Sequence, residues 1–498
     1  MNNQQLTMRQ RYRGYLFVTQ YSFKVMTDIG RLLWRAYREQ PSRQGEAIAQ
    51  LGKPGIFVTD NHPLTAADFV QINEAGFGER WNTWLWSMIW WNGRLYAGTN
   101  RAYPCVEYFN IHKVVPYFQR YPPRLDPDVD SCTPSPYDLP LQAEIWCYTP
   151  ETNKWQRVFQ SPPDVPVPGQ PGKTIARDMG FRNMVLYTEP DGVEALYVAG
   201  VSTRAIDALL PPPRLLRSTD GQQFTEVPCE PGTVLGDVSG VAYRTITRYR
   251  DRFYVVAGVL YGDGVLLEAE HPAQGNNAFR QVSPPGMRVF EMVPFNDYLY
   301  LGLRDPQYGY SVVKTKAEGS PPYQFETVVP PGCFRHFTRS GSVVCMAVFR
   351  GALYVGTDAP AELLRIFPDD SWELVCGRAR RTPQGRKEPI SGLGDGLGYA
   401  LNRVFQRMQV YNDWLYISTV NFSTKFRRMS RLGRFFSERA GFGLYATADG
   451  VHFIPVTTDG FGDPCNYNAR TLTPSPHGLF LGAINEYEGA KVYLARAG

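Results

Sequence analysis

Leu353-Tyr354-Val355-Gly356-Thr357 decides the fold, because the chain writes this pentad repeatedly. Its counterparts are Leu95-Tyr96-Ala97-Gly98-Thr99, Leu196-Tyr197-Val198-Ala199-Gly200, Phe253-Tyr254-Val255-Val256-Ala257, Leu299-Tyr300-Leu301-Gly302-Leu303, Leu415-Tyr416-Ile417-Ser418-Thr419 and Leu479-Phe480-Leu481-Gly482-Ala483. Each is an apolar run with an aromatic at its second position that closes on small residues, the composition of a short buried strand. Most copies lie 46 to 64 residues apart, and the one longer gap, from Leu95 to Leu196, marks an insertion.

Two further marks keep step with the pentad. An aromatic three residues before a valine follows most copies, at Trp155-Val158, Phe224-Val227, Phe279-Val282, Phe325-Val328, Trp372-Val375 and Phe453-Val456. Seven residues before each pentad stands Met88, Ile246, Met292, Met346, Met408 or Leu472, with Met184 displaced by a longer hairpin. These methionines read as gap fillers between tapering sheets rather than as metal ligands. A period of this length with several strand marks fits one four-stranded β-propeller blade per copy. The expectation is an all-β, seven-bladed propeller over residues 65–498. Its last blade lacks an outer strand unless Phe69-Val70-Gln71-Ile72 supplies it and closes the ring. Residues 1–64 form a basic extension in which Phe23, Met26, Ile29 and Leu33 predict a helix near 22–39.

Composition agrees with this reading. Gly 46 and Pro 40 punctuate the chain too often for long helices, while 43% hydrophobic and 20% charged residues suit a packed protein. No apolar run is long enough to span a bilayer, and Gln20 and Lys24 interrupt the N-terminal apolar stretch, so a cytoplasmic protein with no transmembrane segment is expected. Eight cysteines are too dilute for a disulfide scaffold and lack zinc spacing, although Cys105, Cys132 and Cys147 are near enough to pair in an exported protein.

Local turns carry family resemblances. Tyr148-Thr149-Pro150-Glu151-Thr152-Asn153-Lys154-Trp155 resembles the turn between third and fourth strands of a kelch repeat, without that family's glycine pair. Ser218-Thr219-Asp220-Gly221 before Phe224, and Asp449-Gly450 before Phe453, are similar to the Asp-box turns of sialidase-type propellers. The resemblance covers a few turns and implies the propeller fold without an activity. Three connectors share GxGxxxN, as Gly76-Gly78-Asn82, Gly396-Gly398-Asn402 and Gly460-Gly462-Asn466. No helix follows them, so they read as tight turns tied down by the Asn amide, not as phosphate loops.

Positive charge is segregated. Residues 377–387 and 425–439 each sum to +5 and residues 1–55 to +6, against +5 for the whole chain. The loops of the sixth repeat, with Arg378, Arg380, Arg381, Arg386, Lys387, Lys425, Arg427, Arg428, Arg431, Arg434 and Phe435, therefore present a basic face. An acidic protein is its expected partner, with an anionic lipid surface or nucleic acid as alternatives. The aromatic-rich insertion 101–141 contains Asp126, Asp128 and Asp130, a weak calcium pattern without the glycine and distal glutamate of an EF-hand; no other cofactor is expected.

A second cluster falls at the channel mouth. Two residues before the Met/Ile/Leu mark stand Trp86, Arg182, Arg244 and Arg470, and one residue before it stand Glu291 and Arg407. Converging arginines can grip a carboxylate or phosphate bidentately, the device that sialidase-like propellers use for acidic sugars. Six scattered histidines, no HExxH, GxSxG or P-loop, and one well-placed acid leave no self-sufficient catalytic set. The expectation is thus a non-enzymatic binding or scaffolding propeller docking an acidic macromolecule. Its rival is an enzyme acting on an acidic carbohydrate or other anionic small molecule held by those arginines.

Overall fold

The structure is a computed structural model that describes residues 30, 34–35, 61–114, 132–258, 264–305, 307–335, 341–427 and 436–496. It is all-β in character, a succession of antiparallel sheets. Val289–Phe295, Tyr298–Asp305, Gly309–Thr315 and Glu326–Val329 form one four-stranded meander, and Val343–Phe349, Ala352–Thr357, Leu363–Ile366 and Trp372–Cys376 the next. The pentad is the second strand of each. Where the chain repeats the motif it repeats this order, with first strands at Asn82–Trp91, Asp178–Thr188, Ala242–Tyr249, Asn402–Tyr411 and Asn466–Ser475. The aromatic-x-x-Val marks fall on or flank the fourth strands, wholly within Lys154–Gln160 and Trp372–Cys376 and astride the shorter ones.

Single pairs stitch neighbouring meanders at their inner edges: Asn100 with Gly180, Val201 with Ala242, Val420 with Asn468, and the bridges Arg304–Ser342 and Asp358–Val404. Tyrosines tie them farther out. Tyr187 Oη donates to Asp251 O at 2.8 Å, Tyr249 Oη to Asp297 O at 2.6 Å, and Tyr300 Oη to Asp370 Oδ1 at 2.9 Å. Strand Phe69–Gln71 lies antiparallel to Lys491–Arg496, with Phe69 opposite Ala495 and Gln71 opposite Tyr493.

The marks acquire physical reasons. Met184, Ile246, Met292, Met346, Met408 and Leu472 are buried in the apolar layers between sheets, as gap fillers should be. The small residue in the pentad faces the next first strand. A Cβ on Gly356 would stand 2.7 Å from Cys345 Sγ and 2.8 Å from Phe405 Cβ, and one on Gly302 would stand 2.3 Å from Val343 Cβ. In all three GxGxxxN connectors the Asn amide donates to the first glycine's carbonyl, at 3.0, 3.0 and 2.9 Å. Both glycines of each have positive φ.

Several expectations change. A helix, Tyr103–Val114, stands in the insertion where only loop was expected. Pro104 falls in its first turn, where a missing N–H costs nothing. Cys105 and Cys132 are disulfide-bonded and Cys147 is a buried thiol. Of the helix expected near 22–39, only Gly30, Trp34 and Arg35 are described, all helical. Asp126, Asp128 and Asp130 lie outside the described residues. No described helix is long and apolar enough to cross a membrane.

Candidate functional site

Each first strand carries a β-bulge near its middle, where the register with the pentad strand slips by one residue. The slips fall between Leu85 and Ser87, Phe181 and Asn183, Tyr243 and Ile246, Val289 and Glu291, Val343 and Cys345, Phe405 and Arg407, and Ala469 and Thr471. The extra residue of a bulge escapes the alternation of the ladder and is aimed away from it. Those residues are Trp86, Arg182, Arg244 with Thr245, Phe290, Val344, Gln406 and Arg470.

Trp86, Arg182, Arg244, Val344, Gln406 and Arg470 line one cavity, part of it open to solvent, together with Glu291, Arg407 and Thr471. All six channel-mouth residues expected from the sequence therefore meet at one place. Gln406 and Val344 join them from the same offset before Met408 and Met346, and being neither charged nor aromatic they carry no signal in the sequence.

The walls hold these groups firmly. Arg244 donates from Nε to Phe290 O at 2.7 Å and lies 3.2 Å above the Phe290 ring; Arg182 lies 5.0 Å above Trp86. Trp86 packs on Tyr103 at the start of the inserted helix, with centroids 5.5 Å apart. Glu291 accepts through Oε1 from Thr245 Oγ1 at 3.0 Å and from Met292 N at 3.1 Å, and its Oε2 takes no hydrogen bond among the described residues. Burial, then the Arg182 and Arg407 charges, push the Arg470 guanidinium down to about 9; burial with Arg182 and Arg470 pushes Arg244 well down. A guanidinium gives up its proton only under extreme stress, so these shifts record like charges crowded in a poorly solvated space. Such a space favours an anion.

The expected basic face is different. Arg380 is buried, not exposed: it forms an ion pair with Glu362, which also binds Arg335 at 2.6 Å. Lys425 pairs with Glu486 at 2.7 Å and lies 4.8 Å from the Tyr467 ring. Arg427 donates to Cys465 Sγ at 2.8 Å, and Lys387 to Trp372 O at 2.6 Å. Arg386 pairs with Glu388. Arg378, Arg381 and Arg386 are exposed, while Arg428, Arg431, Arg434 and Phe435 lie outside the described residues. Summing charge over residues 377–387 and 425–439 overstated the patch, because compensating acids lie outside those windows, Glu388 just beyond one and Glu362 and Glu486 in other strands and loops. Among the described residues no cluster of metal-ligating side chains forms.

No protein-family model and no curated protein matches the chain. The kelch and sialidase-type resemblances accordingly describe turns and name no family. Solved structures it is similar to include a puromycin hydrolase (13% identity, 85% of this chain and 52% of that one, TM-score 0.43). A streptogramin B lyase matches at 10% identity over 86% of this chain and 98% of that one, and a GH74 enzyme of Niastella koreensis at 12% over 85% and 53%, both with TM-score 0.43. The chain spans about half the length of the puromycin hydrolase. Similarity at this level identifies no substrate or reaction. Most of these structures carry the names of hydrolases or lyases, and the expectation of a non-enzymatic scaffold, with its leaning against catalysis, is not carried further.

Proposed function

We propose that the chain is an enzyme acting on an anionic small molecule, acidic carbohydrates included, held at the mouth of the channel of a seven-bladed propeller. In this reading residues 65–498 make the blades, residues 1–64 are an extension, and pairing of Phe69–Gln71 with Lys491–Arg496 closes the ring. The observation that carries the function is the convergence on a single cavity of Arg182, Arg244 and Arg470, aimed by a bulge repeated in every first strand, with Glu291 and Arg407 from the positions just after it. Arg182, Arg244 and Arg470 grip the anionic group, and Arg407 adds charge at the rim. Glu291, with one oxygen anchored and the other facing no donor, is the proton-transfer group. A single carboxylate does not make the paired acids of ordinary glycoside hydrolysis, so one proton transferred beside an acid group fits better.

Incubation with a panel of uronic-acid oligosaccharides and sugar phosphates, followed by mass spectrometry, tests this. At least one member should be converted. Glu291→Gln should keep binding and lose turnover, whereas joint substitution of Arg182, Arg244 and Arg470 by Gln should lose both. Binding and conversion by the triple variant equal to the parent's would refute the reading.

A further inference from the structure

We infer that the cavity takes a small molecule with two negative charges close together, on the phosphoryl group of a phosphate monoester or on the two groups of a dicarboxylate, rather than a lone carboxylate. This inference rests on the cavity being the substrate site and narrows what it holds.

Hydrogen-bond stoichiometry is the first reason. Arg407 and Arg470 make no side-chain hydrogen bond or ion pair among the described residues, and Arg244 spends only its Nε, on Phe290 O. These three guanidinium groups offer roughly a dozen N–H donors, whereas a carboxylate has about four acceptor sites. One neutral donor joins them. Trp86 Nε1 belongs to a cavity-lining residue that is 3% exposed, and it has no partner among the described residues. A buried polar atom left unpaired is costly, so a native site that keeps it suits a ligand with acceptors to spare.

Charge is the second reason. Arg244, Arg407 and Arg470 face one glutamate on the lining. One monoanion leaves half of that excess in place, while a dianion removes it. Asp358, which interacts with Arg244, is little help, because burial raises its carboxyl and it accepts from Ser342 N at 2.5 Å outside the lining. The crowding that depresses Arg244 and Arg470 is therefore met from within the fold only in part, and in a poorly solvated cavity a second negative charge is favoured strongly.

Calorimetric titration of the full chain with inorganic phosphate, malonate and acetate, at one pH and fixed ionic strength, tests the inference. Phosphate, malonate or both should bind at least about tenfold tighter than acetate. Arg470→Gln, and separately the more exposed Arg407→Gln, should erase most of that advantage, while Arg378→Gln on the outer hairpin should leave it intact. Preference for phosphate alone identifies a phosphoryl ligand, and preference for malonate alone a dicarboxylate. Acetate binding as tightly as the dianions, and lost in the same variants, would overturn the dianion inference and leave the anion site standing. No oxyanion binding, or binding untouched by either cavity variant, would overturn both.

Discussion

Buried carboxylates organise the outer parts of the sheets. Glu268 accepts from Tyr254 at 2.6 Å, Tyr323 at 2.7 Å, Arg280 at 2.8 Å and Arg252 at 2.6 Å, and Glu362 serves Tyr310, Arg335 and Arg380 in the same way. Desolvation by itself would raise both carboxyls, but the tyrosines and arginines around Glu268, and the arginines and Tyr310 around Glu362, hold each below the ordinary value of 4.5. The sign follows. These groups ionise at lower pH folded than unfolded, so their stabilisation is complete above about 4.5 and is lost as pH falls through the native values. Chemical denaturation between pH 7 and 3 should show this contribution level down to about 4.5 and falling below it, less steeply in Glu268→Gln. At neutral pH, Glu362→Gln should cost about 3 kcal/mol, because it strands buried Arg380 and weakens the hold on half-buried Arg335; a loss below about 1 kcal/mol would count against an essential pair.

The pentad was legible because one sheet makes two demands that alternate along its second strand: apolar bulk toward the layers and a small residue beneath the neighbouring first strand. Gly302 shows the second demand. Gly302→Val should cost about 1–3 kcal/mol by overpacking against Val343, whereas Ala199→Gly, at the same position in a sheet that already accepts a Cβ, should cost less; melting temperatures would rank them. The offset that picked out Trp86, Arg182, Arg244 and Arg470 was legible for a related reason, since a bulge at a fixed place in each first strand fixes the offset in sequence. What stayed hidden was cross-chain. Glu486 against Lys425 and Glu362 against Arg380 are pairs between segments that no local pattern links, so a run of arginines looked like an open patch. Helix Tyr103–Val114 escaped because its aromatic residues have no apolar stripe at helical spacing.

At the scale of the molecule, the pairing of Phe69–Gln71 with Lys491–Arg496 joins segments far apart in sequence, reinforced by Asn73, whose side chain donates to Ala490 O at 3.2 Å and accepts from Val492 N at 2.7 Å. A chain starting at residue 61 should therefore melt cooperatively and run as a single species on size exclusion. One starting at residue 74 should melt lower and associate through the uncovered edge of Lys491–Arg496; identical behaviour of the two would show that the pairing adds no stability. The same join sets a timetable for biosynthesis. Phe69–Gln71 leaves the ribosome early, yet its partner is not made until residues 491–496 are translated, and pairs so distant in sequence form late and slowly. Throughout that interval Phe69, which the finished sheet buries, awaits its cover, so any need for chaperone protection at that strand lasts until residues 491–496 are made.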